Sequence, residues 1–137
     1  MNSPRTPKVN ALVASLDAHK DEASGRLDLV GVFATVQVPS MPLELPGLTV
    51  FVSLTNMHGS YTLGLDVIDL ERDERLAGVD TPHTIQINDP LRVWTEVARI
   101  PGPLTIEHTG RYACRLTAND QYLHEIVFEF ELVEAPE

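Results

Sequence analysis

Apolar and polar residues in this chain alternate with a period of two, in short segments bounded by Gly, Pro, Asn and Asp. That period belongs to strands with one buried face, and no segment carries a sustained helical period. Strand segments are predicted at residues 8–17, 26–38, 48–55, 61–70, 84–87, 91–100, 111–118 and 122–133, with a brief alternating piece at 104–106. Residues 18–23 are long enough for one helical turn and no more. Eight or nine short strands in one chain of 137 residues predict a single all-β domain. The expected architecture is a two-layer antiparallel β-sandwich, immunoglobulin-like or jelly-roll-like. The domain is expected over residues 8–133, with unstructured tails at 1–7 and 134–137.

Several segments allow finer expectations. Residues 26–38 are apolar on both faces, which predicts a central strand, and Gly31 within it suggests a bulge or a close backbone approach. Pro39, Pro42 and Pro46 cannot join a central ladder, so residues 39–47 read as a loop crossing between sheets. Leu48, Val50, Val52 and Leu54 share one face of their segment, and Tyr61, Leu63, Leu65 and Val67 share one face of the next. With a short turn at Met57, His58 and Gly59 between them, the two read as a hairpin. Pro101, Gly102 and Pro103 are expected to stop the strand containing Trp94. In the last hairpin a two-residue turn would set Cys114 against Glu125, placing an acid opposite a core position. A three-residue loop at Asn119, Asp120 and Gln121 instead pairs Cys114 with Ile126 and Tyr112 with Phe128. It also sets Arg115 against Glu125 and Arg111 against Glu129. Because a one-residue slip reverses every face, the second register is predicted.

Charge narrows the partners. The formal net charge is −10, and the acidic excess falls almost wholly after residue 68. A surface this negative repels phosphate backbones and anionic lipid, so neither nucleic acid nor a membrane is expected as a partner. No apolar run approaches the roughly 18 residues of a membrane helix, and the amino terminus lacks the apolar stretch of a signal peptide. The single cysteine, Cys114, cannot form an internal disulfide, which favours a reducing, cytoplasmic setting.

Chemistry-bearing motifs are sparse. His19, His58, His83, His108 and His124 show no metal-ligand spacing and read as rim or surface residues. Asp69, Glu71, Asp73 and Glu74 are candidates for a hard cation such as Ca²⁺, although Arg72 and Arg75 stand among them. No nucleophile stands beside a base in a recognisable pattern, Cys114 is expected inward on a strand, and no cofactor is expected. Phe51 is predicted to point outward on a polar face, and Val127 and Val133 lie on the outer face of the last strand. These three mark a candidate interaction surface.

The segments 8–12, 25–33 and 45–52, together with Gly110, Arg111 and Tyr112, resemble a bacterial family of small proteins catalogued as a domain of unknown function. In that family a Gly-(Lys/Arg)-Leu-x-Leu-x-Gly-Val-Phe segment follows a short first strand. The resemblance spans residues 8–133; it implies a β-sandwich and supplies no activity. A second likeness is to immunoglobulin domains. Tyr112 stands two residues before Cys114, the spacing of a tyrosine corner, whose hydroxyl bonds back to the backbone. His108 stands where an acid is usual, and the partner cysteine is absent.

The functional expectation is a non-enzymatic protein-interaction or self-association module, with a homodimer expected. The alternatives are a small-ligand or carbohydrate binder using the end loops, with Tyr61, Trp94 and Tyr122 as stacking aromatics, and a calcium-dependent sandwich. The acids between residues 69 and 80 and those of the C-terminal tail are expected to be the unmatched ones.

Overall fold

The computed structural model describes residues 4–81 and 84–133. Among them are eleven strands: β1 Lys8–Lys20, β2 Leu27–Val32, β3 Thr35–Val38, β4 Leu43–Thr55, β5 Gly59–Tyr61, β6 Leu63–Asp69, β7 Glu74–Asp80, β8 Ile85–Ile87, β9 Trp94–Ile106, β10 Gly110–Ala118 and β11 Gln121–Leu132. Nine of these form two packed layers. One is four-stranded in the order β2-β1-β4-β9, and the other is five-stranded in the order β3-β11-β10-β6-β7. The short strands β5 and β8 pair separately. All pairings are antiparallel except β3 with β11, which is parallel.

Pairing of β4 with β9 in one layer, and the run β7-β6-β10-β11 in the other, is the order of an immunoglobulin-type sandwich. Here β1 lies between β2 and β4. The tyrosine corner is present: the Tyr112 hydroxyl donates to the His108 carbonyl at 2.7 Å. The core lies between the layers, where Leu12, Val50, Val52 and Leu54 face Leu65, Val67, Leu116 and Phe128. Phe33, Tyr112, Phe128 and Phe130 cluster at one end of it, with the two rings of Phe128 and Phe130 edge-on at 5.9 Å. Each such side chain stabilises the fold by about 1.5–3 kcal/mol through burial.

Four local expectations are corrected. Residues 26–38 are not one central strand; they split into β2 and β3, which are edge strands of different layers. Gly31, at φ 69°, sits at this switch. A side chain there would meet Leu16, its nearest atom only 2.8 Å away, so the close approach is real. The apolar character on both faces reflects a segment that serves two sheets in turn. Second, β4 and β6 do not form a hairpin, because they belong to opposite layers. Alternation reads the same for a hairpin and for an arch between layers, so spacing could not separate them. Third, the expected loop at 39–47 is shorter: Leu43, Glu44 and Leu45 already pair with Ile106, Thr105 and Leu104. Fourth, residues 101–103 do not stop β9. They form a bulge on an edge strand, where missing N–H donors are tolerated.

The last hairpin has the predicted register: Cys114 pairs with Ile126, Tyr112 with Phe128, Arg115 with Glu125 and Arg111 with Glu129. Its loop differs from the expectation. Asn119 and Asp120 form a two-residue turn with φ 50° and 66°, the left-handed pair that a type I′ turn requires. The extra residue is absorbed by a bulge near Leu123, where Leu116 pairs with His124 and Thr117 with Tyr122. A turn of two asparagine-class residues tolerates positive φ, so it won over the looser loop.

The amino-terminal stretch is also tied down from Pro4 to Pro7. The buried Tyr61 hydroxyl donates to the Arg5 carbonyl at 2.7 Å, and the Asn56 amide donates to the Thr6 carbonyl at 3.2 Å. A buried phenol needs an acceptor, and the tail supplies it. Residues 1–3 and 134–137, the outer part of the expected amino-terminal tail and the whole of the carboxy-terminal one, lie outside the described residues.

Candidate functional site

On one side of the sandwich the chain itself joins the layers, as β2 runs into β3. The other side ends in two free edges, β9 and β7. Between them a cavity of about 270 Å³ opens into the core. Val52, Trp94 and Ala98 line it from one layer, and Leu63, Leu65 and Val79 from the other. Asp80, Thr81 and Glu96 also belong to its wall. The register of β9 explains the mixture. Trp94 pairs with Leu54, Glu96 with Val52 and Ala98 with Val50, so all three follow the inward face of β4. Glu96 is thus an exposed acid at an inward register position of an edge strand. One structural role for such a charge is to discourage edge-to-edge pairing.

Trp94 is half-buried and shared by this cavity and a second recess of about 320 Å³ beside β8, which includes Thr84, Gln86 and Arg92. Of the nearby charges, Arg99 is already engaged: its guanidinium reaches Asp17 at 3.0 Å and Thr49 at 3.3 Å. No ion pair engages Asp80 or Glu96 among the described residues.

A second cluster lies at the opposite end of the layers. Asp69, only 3% exposed, accepts from the backbone N–H groups of Glu71 and Arg72 at 3.0 and 3.2 Å. Its other oxygen meets His108 Nε2 at 2.6 Å, while His108 Nδ1 meets the Thr109 carbonyl at 2.6 Å. Both ring nitrogens face acceptors, and only the imidazolium has two N–H donors to give. The bond to Thr109 and then the bond to Asp69 raise the His108 pKa. Burial pushes the Asp69 carboxyl up, but His108 and the backbone donors outweigh it and the net shift is downward. This pair locks the β6–β7 turn to the β9–β10 corner. Reading His108 as a rim residue missed it, since only folding brings residue 69 to residue 108.

The other candidates are placed as follows. Asp69, Glu71, Asp73 and Glu74 do not converge: Asp69 turns inward to His108, and Glu71 reaches Arg111 at 3.4 Å. Among the described residues no three His, Cys, Asp or Glu side chains gather as a metal site would require. The acids after residue 68 are more matched than expected. Arg72 pairs with Glu107 at 2.8 Å, and Arg111 turns to Glu71 instead of Glu129, its cross-strand neighbour. Phe51 is half-buried on the outer face of the four-stranded layer, between Val13 and Val97. Val127, 53% exposed, belongs to the other layer, and Val133 follows the end of the same strand, so one flat partner cannot cover all three. Tyr61 is core, Tyr122 is exposed on the last hairpin, and they do not join Trp94 in one platform. His19, His58 and His124 are exposed, and His83 lies outside the described residues.

Cys114 is fully buried, and burial first, then Asp66, pushes its thiol up to about 12. It is expected to resist a thiol reagent in native buffer and to react at once in denaturant. Rapid labelling of the folded protein would contradict this placement.

Fold and site together define a two-layer β-sandwich with one open, apolar seam. The family model described as "Family of unknown function (DUF6941)" matches residues 11–131, and the chain belongs to that family. No curated protein matches the sequence. No helix among the described residues is long and apolar enough to cross a membrane.

Proposed function

We propose that the chain is a non-enzymatic protein-interaction module that takes an apolar anchor side chain of its partner into the seam between β7 and β9. The observation that supports this is the cavity itself. Its volume of about 270 Å³ lies just below the range of small-molecule pockets, roughly 300–1,000 Å³, and suits one inserted side chain. Interfaces concentrate their energy in such anchors. Both His108 nitrogens are engaged and Cys114 is buried, so neither is free for catalysis, which favours a binding role. The lone buried thiol fits a reducing, cytoplasmic setting.

The test is peptide-display selection on the wild type and on two variants that fill the cavity from opposite walls, Ala98→Phe and Val79→Phe. Thermal unfolding serves as the control that each variant remains folded. Peptides enriched on the wild type are expected to lose binding on both variants. Enrichment that ignores both substitutions, or no enrichment at all, would overturn the seam as the site.

Self-association is a second reading with its own observation. Val30 and Val32, 46% and 52% exposed, alternate along the free edge strand β2. An exposed apolar edge is a template for a second copy. Light scattering during size exclusion is expected to show a dimer at tens of micromolar that Val32→Lys dissociates. A monomer throughout that range would remove this reading.

A further inference from the structure

The stretch that leaves β4 and enters β5 holds the chain's own residues 4–7 as a receptor holds a peptide. We infer that this cradle, residues 56–61, is a second protein-binding site, for Pro-x-x-Pro segments, and that residues 4–7 are its resident occupant. The inference does not depend on the seam. Four contacts carry it. The Tyr61 hydroxyl donates to the Arg5 carbonyl at 2.7 Å, and the Asn56 amide donates to the Thr6 carbonyl at 3.2 Å. The Arg5 N–H donates to the His58 carbonyl at 3.2 Å. Gly59 lies against Pro4, where a side chain would stand only 3.0 Å from the ring.

The cradle is fixed from its other side, without help from the tail. Strand β5 pairs with β8, and the Asn56 N–H donates to the Pro90 carbonyl at 3.0 Å. Asn119, in the turn of the last hairpin, donates its side-chain amide to the Ser60 carbonyl and exchanges two further bonds with the Thr62 backbone. The hold on the tail is light by comparison. Of residues 4–7 only Pro7 is buried, and three of the bonds go to backbone groups that any segment offers. When the tail leaves, the buried Tyr61 hydroxyl keeps the His58 N–H as its donor but loses its acceptor. A buried donor without an acceptor is costly, so the cradle favours another carbonyl. The prolines supply selectivity. Proline fixes φ, so such a segment loses little freedom on docking. A recess of about 250 Å³ beside the tail, reaching Ala118, Gln121 and Leu123, leaves room for larger side chains than the tail's own.

The test titrates a fluorescently labelled peptide, acetyl-Pro-Arg-Thr-Pro-Lys-amide, with the full chain and reads anisotropy. A tethered tail has an effective concentration of about 1 mM, so the wild type should bind the peptide only weakly. Pro4→Gly with Pro7→Gly loosens the tail and should tighten peptide binding roughly tenfold. Adding Tyr61→Phe or Asn56→Ala to that variant should weaken the peptide again by roughly tenfold, the worth of one hydrogen bond. A peptide with both prolines replaced by Ala should bind more weakly. Protection of Cys114 from a thiol reagent serves as the control that each variant is folded. Pro4→Gly alone, at an exposed position, covers the case in which the double variant unfolds and should show a smaller gain in the same direction. Three results would each overturn the site: no binding to either tail variant up to about 1 mM, equal binding to the wild type and both tail variants, or binding unmoved by both cradle substitutions. An alanine peptide bound as tightly as the proline peptide would overturn the segment class.

Discussion

Tyr112→Ala is expected to cost the domain about 3–5 kcal/mol of stability, a large share of the total, and Tyr112→Phe about 1–3 kcal/mol. The ring is 1% exposed and packs edge-on against Phe130 at 5.6 Å and beside Phe128 at 6.3 Å. Removing a buried aromatic of this size costs about 3–5 kcal/mol, against a total stability of roughly 5–15 kcal/mol for a domain. The phenylalanine variant keeps the packing but leaves the His108 carbonyl without its donor at 2.7 Å. Urea unfolding of both variants checks the two terms separately. A phenylalanine variant as stable as the wild type would show that the hydroxyl does not hold the corner.

The second large effect is expected at Asp69, and it depends on pH. Asp69→Asn removes the anion facing His108, though the amide oxygen can still accept from the backbone of the turn. Breaking a buried pair costs about 3–5 kcal/mol. The His108 side chain is 24% exposed, which reduces the expected loss to about 1.5–3 kcal/mol. The His108 pKa is raised, so its contribution is fully present below the ordinary value of 6.5 and fades as pH rises through the folded value. The Asp69 pKa is lowered, so its contribution is present above the ordinary 3.8 and is lost as pH falls through the folded value. Wild type and variant should therefore differ most between these two ordinary values and converge toward alkaline pH. His108→Gln should show the same alkaline convergence. A difference that is flat from pH 5 to pH 9 would mean that His108 is not charged in the fold.

Much of the layer structure was legible because alternation reports burial directly. Val50, Val52, Leu65, Val67, Cys114 and Phe128 are core residues, and each stood on the inward face by its spacing alone. The last hairpin was readable to the residue, since only one register keeps an acid away from Cys114. The turn inside it was not, because a type I′ turn with a bulge and a three-residue loop produce the same pairing upstream. The candidate site was less legible. Trp94, Ala98 and Glu96 alternate like any strand, and nothing in their spacing says that β9 ends a sheet. Glu96 at an inward position was the available signal, since an acid on a core face belongs at a margin.

By itself the sequence determined the class of fold, the inward faces, the spacing of the tyrosine corner and the excess of negative charge. These are local quantities: period, turn chemistry and composition act over a few residues. Tertiary structure alone decided which strands lie side by side, and therefore where the sandwich stays open. It placed β4 and β6 in opposite layers, sent residues 26–38 from one sheet to the other, and brought Asp69 to His108. It also left β7 and β9 as facing edges, with Trp94 in the wall of the cavity between them. The reason is that an alternating strand buries its face equally well against several neighbours. The choice among them is made by the whole set of pairings at once.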